Sequence, residues 1–166
     1  QMSTLPTTMP TVPSYDVGAM FEPAELTGGD TYDLALVDRR LLVVLGDATG
    51  HGIAPALSVT QMHAMLRMAF RLGADLETAF VQVNDRLAET LADDRFITAF
   101  IGLLDPATHA LTFHSGGQGP VFMNGRPSYG AGVSGRGSRS SSAPRSGRSC
   151  CWRSGASGRR PVGSTS

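Results

Sequence analysis

Leu, Ile, Met and Phe stop at Met123. Residues 125–166 contain no Leu, Ile, Met or Phe, and 29 of those 42 positions are Gly, Ser or Arg. Any hydrophobic core must therefore be built from what precedes them. A segment of that composition cannot bury enough apolar surface to offset its ordering entropy, so it is expected to be disordered. At the other end, Pro6, Pro10 and Pro13 stand among Thr and Ser and read as an extended linker over 1–13. The folding unit is thus expected over 14–124.

Charge follows the same division. The formal net charge of zero is a sum of opposites, because all 14 acidic residues lie at or before Asp105. Only six of the 14 Arg lie in that stretch, which leaves it at −8 and the remainder at +8. The longest strongly apolar run, Leu41 to Leu45, is too short to span a bilayer. No charged region followed by an apolar one marks a secretory leader. Cys150 and Cys151 are adjacent and cannot form a disulfide framework. A reducing cytoplasm is expected, with no membrane partner. A chain that begins with Gln1 reads as a piece of a longer one.

Between the two ends the order of elements is legible. Tyr15 to Glu22 reads as a short strand ending at Pro23. Tyr32 to Val37 and Leu41 to Leu45, separated by Asp38-Arg39-Arg40, read as a hairpin whose second strand is well buried. A glycine-punctuated loop, Gly46 to Gly52, leads into a helix with Pro55 in its first turn. Its apolar positions are Leu57, Met62, Met65, Leu66, Ala69, Phe70 and Leu72. Leu76, Phe80, Val83, Leu87 and Leu91 mark a second amphipathic helix. Phe96 to Leu104 and Leu111 to Ser115 read as strands joined by an Asp-Pro turn, and Val121 to Met123 as the start of another. Two strands, two helices and two strands predict an α+β fold with helices on an antiparallel sheet.

Chemistry concentrates in two aspartate turns, Gly28-Gly29-Asp30 and Gly46-Asp47, each beside a predicted strand. Carboxylates delivered into glycine-rich loops suit a hard cation, since Mg²⁺ and Mn²⁺ take oxygen ligands and glycine lets backbone carbonyls approach. An aspartate that merely caps a turn is the competing reading for either one alone. Gly28-Gly29-Asp30 also resembles the start of the cyclic-dinucleotide synthase signature, but Thr31-Tyr32 follows in place of an acidic-aromatic pair. The Gly46 to Gly52 loop lacks the Gly-Lys-Ser/Thr ending of a phosphate-binding loop. His51, His63, His109 and His114 have no metal-finger spacing. His63 reads as a packing or surface residue, and His51 as a loop residue beside the acidic turn.

Taken together, the motifs resemble a known family. Gly28-Gly29-Asp30-Thr31-Tyr32-Asp33, then Gly46-Asp47-Ala48-Thr49-Gly50-His51-Gly52, then a Met-rich helix, are similar to the PPM-type metal-dependent serine/threonine phosphatases of the SpoIIE/RsbU branch. Phe21-Glu22-Pro23-Ala24, Asn84, Arg95 to Ala99, Leu104 to Thr108 and Ser115 to Pro120 extend the likeness, with Gln118 where the family more often has His. The resemblance implies an α-β-β-α sandwich, of which this chain holds the N-terminal part only. It implies two Mn²⁺ or Mg²⁺ ions that activate a water for attack on phosphoserine or phosphothreonine. Asp47 would bridge the ions, the Ala48 carbonyl would ligate one, and Asp30 would ligate directly or through water. A phosphorylated anti-sigma-factor antagonist is the implied substrate, and a sensor domain the implied upstream neighbour.

The same resemblance calls for a Thr-Asp-Gly motif and a later Asp-Asp motif, yet no acidic residue follows Asp105. A weak or absent metal site and marginal stability are therefore expected, and a catalytically dead or binding-only remnant is the alternative. The tail, Arg-rich without Lys, has the composition that a lost reading frame in GC-rich coding DNA would give. Arg-Gly and Arg-Ser segments also bind single-stranded nucleic acid, but with only Tyr129 and Trp152 for stacking that partner is not expected.

Overall fold

The computed structural model describes residues 4–22, 27–92 and 94–118, and beyond them the backbone of four short strands. The elements are β1 (Asp30–Val37), β2 (Arg40–Ala48), α1 (Ile53–Arg71), α2 (Leu76–Thr90), β3 (Phe96–Asp105) and β4 (Ala110–Gly116). The short strands are β5 (Val121–Met123), β6 (Arg126–Ser128), β7 (Gly132–Ser134) and β8 (Trp152–Arg153). β6, β7 and β8 fall inside the segment expected to be disordered; the rest of that segment lies outside the described residues. The expected strand at Tyr15 to Glu22 does not form. An isolated bridge joins Val12 to Tyr15, and residues 16–22 form no ladder with the sheet. Gly18 and the exposed Ala19 and Met20 give that stretch no alternating face to bury. Within the predicted linker, Leu5 and Val12 are buried.

β1, β2, β3 and β4 form one antiparallel sheet in that order. The inner faces of β2 and β3 supply Leu42, Val44 and Ala48, and Ile97, Ala99, Ile101 and Leu103. These meet Val59, Met62, Leu66 and Phe70 of α1, and Leu76, Ala79, Val83 and Leu87 of α2. The steps along both helices are three and four residues, which keeps one stripe turned to the sheet. Each fully buried Leu or Ile contributes about 1.5–3 kcal/mol relative to exposure. Leu57 and Leu72, grouped with the apolar face of α1 by spacing, lie exposed, and Val59 takes the buried place. The result is α+β, as predicted, with two helices on one face of an antiparallel sheet. It corresponds to a helix layer and a sheet layer of the four-layer sandwich. No helix among the described residues is long and apolar enough to cross a membrane.

β1 and β2 are joined by two residues, Asp38 and Arg39, both with positive φ (47° and 67°). Positive φ at both centres is the turn whose twist matches a hairpin, normally filled by Asn-Gly or Asp-Gly. Arg39 carries a side chain where glycine would be at ease. Arg39→Gly is predicted to stabilise the fold by about 0.5–1 kcal/mol, net of glycine's extra freedom in the unfolded chain. Urea denaturation checks it: a lower midpoint for the variant contradicts the strain.

Candidate metal site

The ladder between β1 and β2 ends with Asp30 directly opposite Asp47, and the next rung places Asp47 opposite Thr98 of β3. Residues directly opposite share a face with Cβ atoms roughly 4.5–5.5 Å apart. The two carboxylates are therefore neighbours on the outer face of the sheet, away from both helices. Both aspartates are exposed, whereas the Ala48 side chain turns into the core. The structure brings together the residues chosen from sequence, Asp30, Asp47 and Ala48, at one sheet end.

Gly29 makes that closeness sterically possible. Its carbonyl accepts a hydrogen bond from the Ala48 N–H at 3.0 Å. A methyl group at Gly29 would overlap the Ala48 carbonyl oxygen and stand 3.0 Å from Asp47 Oδ1. Backbone, carbonyl and carboxylate meet there because Gly29 has no side chain. The following loop is tied to β3: Thr49 N–H donates to the Phe96 carbonyl, and Phe96 N–H donates to Thr49 Oγ1 at 3.2 Å. Gly52, at φ 85°, turns the chain into α1 without a side-chain cap.

Partial burial pushes the Asp47 carboxyl above its usual range, and the charge of Asp30 adds to the rise. A cation shared by both carboxylates would relieve that repulsion. The donor set is two carboxylates and a carbonyl, all oxygen, which fits one hard divalent ion that keeps waters in its other positions. Among the described residues no cluster of three or more His, Cys, Asp or Glu side chains surrounds such an ion.

Two neighbours had no role assigned from sequence. Thr98 Oγ1 donates to Gln118 Oε1 at 2.7 Å, and Ser115 Oγ donates to the Gln118 carbonyl at 2.8 Å. Gln118 is thereby fixed beside the acidic pair, at the position where the family more often has His. A second polar cluster lies on the inner face. Asp33, fully buried, accepts from Arg67 Nε and, at 2.5 Å, from its terminal nitrogen. His63 Nε2 stands 2.6 Å from Asp33 Oδ2, close but not aligned as a hydrogen bond. Burial drives the Asp33 carboxyl up, but the contacts and charges of His63 and Arg67 outweigh it and hold the group below its usual range. His63 is thus a buried ion-cluster member. Its i, i+4 spacing from Arg67 was the available signal.

The family model of Stage II sporulation protein E (SpoIIE) matches residues 37–126, more than half of the chain. The chain belongs to the SpoIIE family. Among curated proteins it is similar to Protein IcfG of Synechocystis, 26% identical over 151 residues, covering 74% of this chain and 24% of that protein. It is also similar to phosphoserine phosphatase RsbU of Bacillus subtilis, 25% identical over 122 residues, covering 74% of this chain and 36% of that protein. The chain thus spans about a quarter to a third of these relatives. Among solved structures, the RsbU and RsbW domains of a Mycobacterium tuberculosis protein match with a TM-score of 0.52 and 29% identity. That match covers 60% of this chain and 28% of that one.

Gly29→Ala is expected to cost about 1–3 kcal/mol by overpacking against Ala48, and to weaken Mn²⁺ binding in calorimetric titration; unchanged binding would separate the loop from the site. For Asp47, a raised folded-state pKa means that ionisation opposes folding as pH rises through the carboxylate range. In metal-free buffer Asp47→Asn should therefore be more stable than the parent at neutral pH. The gap should close as pH falls below the ordinary carboxylate pKa, and thermal melts across pH measure it.

Proposed function

We propose that this chain is the acidic-turn half of a protein serine/threonine phosphatase site, acting on a phosphorylated anti-sigma-factor antagonist. The observation that carries the reading is the cross-strand pair of Asp30 and Asp47 on one exposed face, with Gly29 opening the Ala48 carbonyl beside it. Asp30 and Asp47 would hold Mn²⁺ or Mg²⁺, with the Ala48 carbonyl as a third oxygen. A cation bound there supplies an activated water and positive charge for the phosphoryl oxygens. The protein's own part is to fix two carboxylates at one sheet end and to keep their repulsion available for a cation. Membership in the SpoIIE family and likeness to a phosphoserine phosphatase support the reaction class. The RsbU and RsbW domains of the structural neighbour support a place in sigma-factor control. A cytoplasmic setting and a sensor domain ahead of the phosphatase complete the proposal. The 1–13 linker, 14–124 domain and 125–166 tail are its proposed divisions.

One observation favours a second reading. The described residues offer two carboxylates at the site and no third. A chain that binds its phosphoprotein partner without hydrolysing it would have that site.

A phosphoserine-peptide assay with Mn²⁺, run on the full chain and on Asp47→Ala, decides between them. The phosphatase reading expects Mn²⁺-dependent turnover that falls by at least about 100-fold in the variant, the upper end of the loss from outer ligand partners alone. Turnover that survives Asp47→Ala removes Asp47 from catalysis. Peptide binding without turnover in either protein selects the binding-only reading.

A further inference from the structure

β1 is the edge strand of the sheet, hydrogen-bonded to β2 on one side. Its two faces are unusual in how little the apolar pattern separates them. The outer face carries Asp30, Tyr32, Leu34 and Leu36; the inner face carries Thr31, Asp33, Ala35 and Val37. The larger apolar side chains point away from the helices, and Leu36 is 53% exposed. A slip of one residue would turn Tyr32, Leu34 and Leu36 inward and would also turn Asp30 away from Asp47. The hairpin turn gives limited protection, since Arg39 occupies a positive-φ position at a cost.

What distinguishes the observed register is Asp33. In this register its carboxylate reaches the two Arg67 nitrogens and His63, from one turn of α1, and a slip of one residue would turn it to the other face. Buried ionic groups add little net stability over apolar replacements, but their best-attested use is to fix register. We infer that the Asp33–Arg67–His63 cluster is a register lock for β1, and that Asp33 is a positioning residue that keeps Asp30 opposite Asp47. Asp33 itself faces the helices and touches no part of the acidic pair. The consequence for the site rests on the reading of Asp30 as a cation ligand; the register does not.

Disulfide trapping tests it on the full chain with Cys150→Ser and Cys151→Ser. Leu34→Cys with Val43→Cys reports the observed register, and Leu34→Cys with Val44→Cys reports the slipped one. Arg67→Met should raise the slipped-to-native ratio at least about tenfold, since it leaves Asp33 buried with one partner fewer. Arg67→Lys should restore the parent ratio in part. Val83→Ala, a core change on α2, should lower stability and leave the ratio unchanged. A ratio in Arg67→Met equal to that in the parent or in Val83→Ala overturns the lock. If Arg67→Met does not fold, Asp33→Asn takes its place, and an unchanged ratio there overturns the lock equally. Mn²⁺ titration is scored separately: a native register without Mn²⁺ binding sinks the functional reading and leaves the lock standing.

Discussion

The site depends on parity in one ladder. β1 and β2 run antiparallel with Asp30 opposite Asp47, so every side chain between that rung and the turn is assigned to a face. Shift the pairing by one and the acidic pair disappears, along with the contact of Asp33 to α1. So much rests on an edge strand because the strands divide the labour. β2 and β3 are buried through Leu42, Val44, Ile97 and Ile101 and are held by apolar packing. β1, with Ala35 as its one buried apolar residue, is held by a polar cluster.

That division explains why the acidic turns can exist at all. A pair of like charges at a strand end is destabilising; partial burial raises the Asp47 carboxyl, and the charge of Asp30 adds to the rise. Gly29 brings a backbone carbonyl into the same space and accepts the steric restriction that follows. Natural sequences concentrate such local costs at functional positions, where the surrounding packing over-determines the structure. Here the surroundings are the β2–β3 core on one side and the Thr49–Phe96 hydrogen bonds on the other.

Much of this was legible in the sequence, for identifiable reasons. The α2 stripe could be read because apolar residues recur every three or four positions, and the hairpin because β2 is a continuous apolar run. Asp30 and Asp47 stood out because each lies in a glycine-containing turn beside a predicted strand, where carboxylates and backbone carbonyls can approach a hard cation. Other features were hidden by the same rules. Tyr15 to Glu22 has the composition of a strand but no alternating face, so it forms no ladder. Leu57 and Leu72 match a helical period, yet Leu57 is exposed on α1 and Leu72 lies past its last residue as the exposed C-cap. Asp33 and His63 were invisible as a pair because their contact joins a strand to a helix far along the chain. Local pattern carries no information about such a meeting until the fold brings it about.

The likeness to the SpoIIE family and the geometry bear on different questions. Family membership speaks to reaction class, because it draws on the whole matched stretch. It says nothing of how many cations two carboxylates can hold. The donor set speaks to that directly: two carboxylates and a carbonyl suit one hydrated ion, whereas a bridging pair of ions needs further acidic side chains to balance four positive charges. Among the described residues no third His, Cys, Asp or Glu side chain joins Asp30 and Asp47 in a group that could hold an ion. Charge balance, more than fold, therefore sets what this chain can do by itself. On the proposed reading this pair would hold one cation, and a second ion would require acid contributed from beyond this cluster.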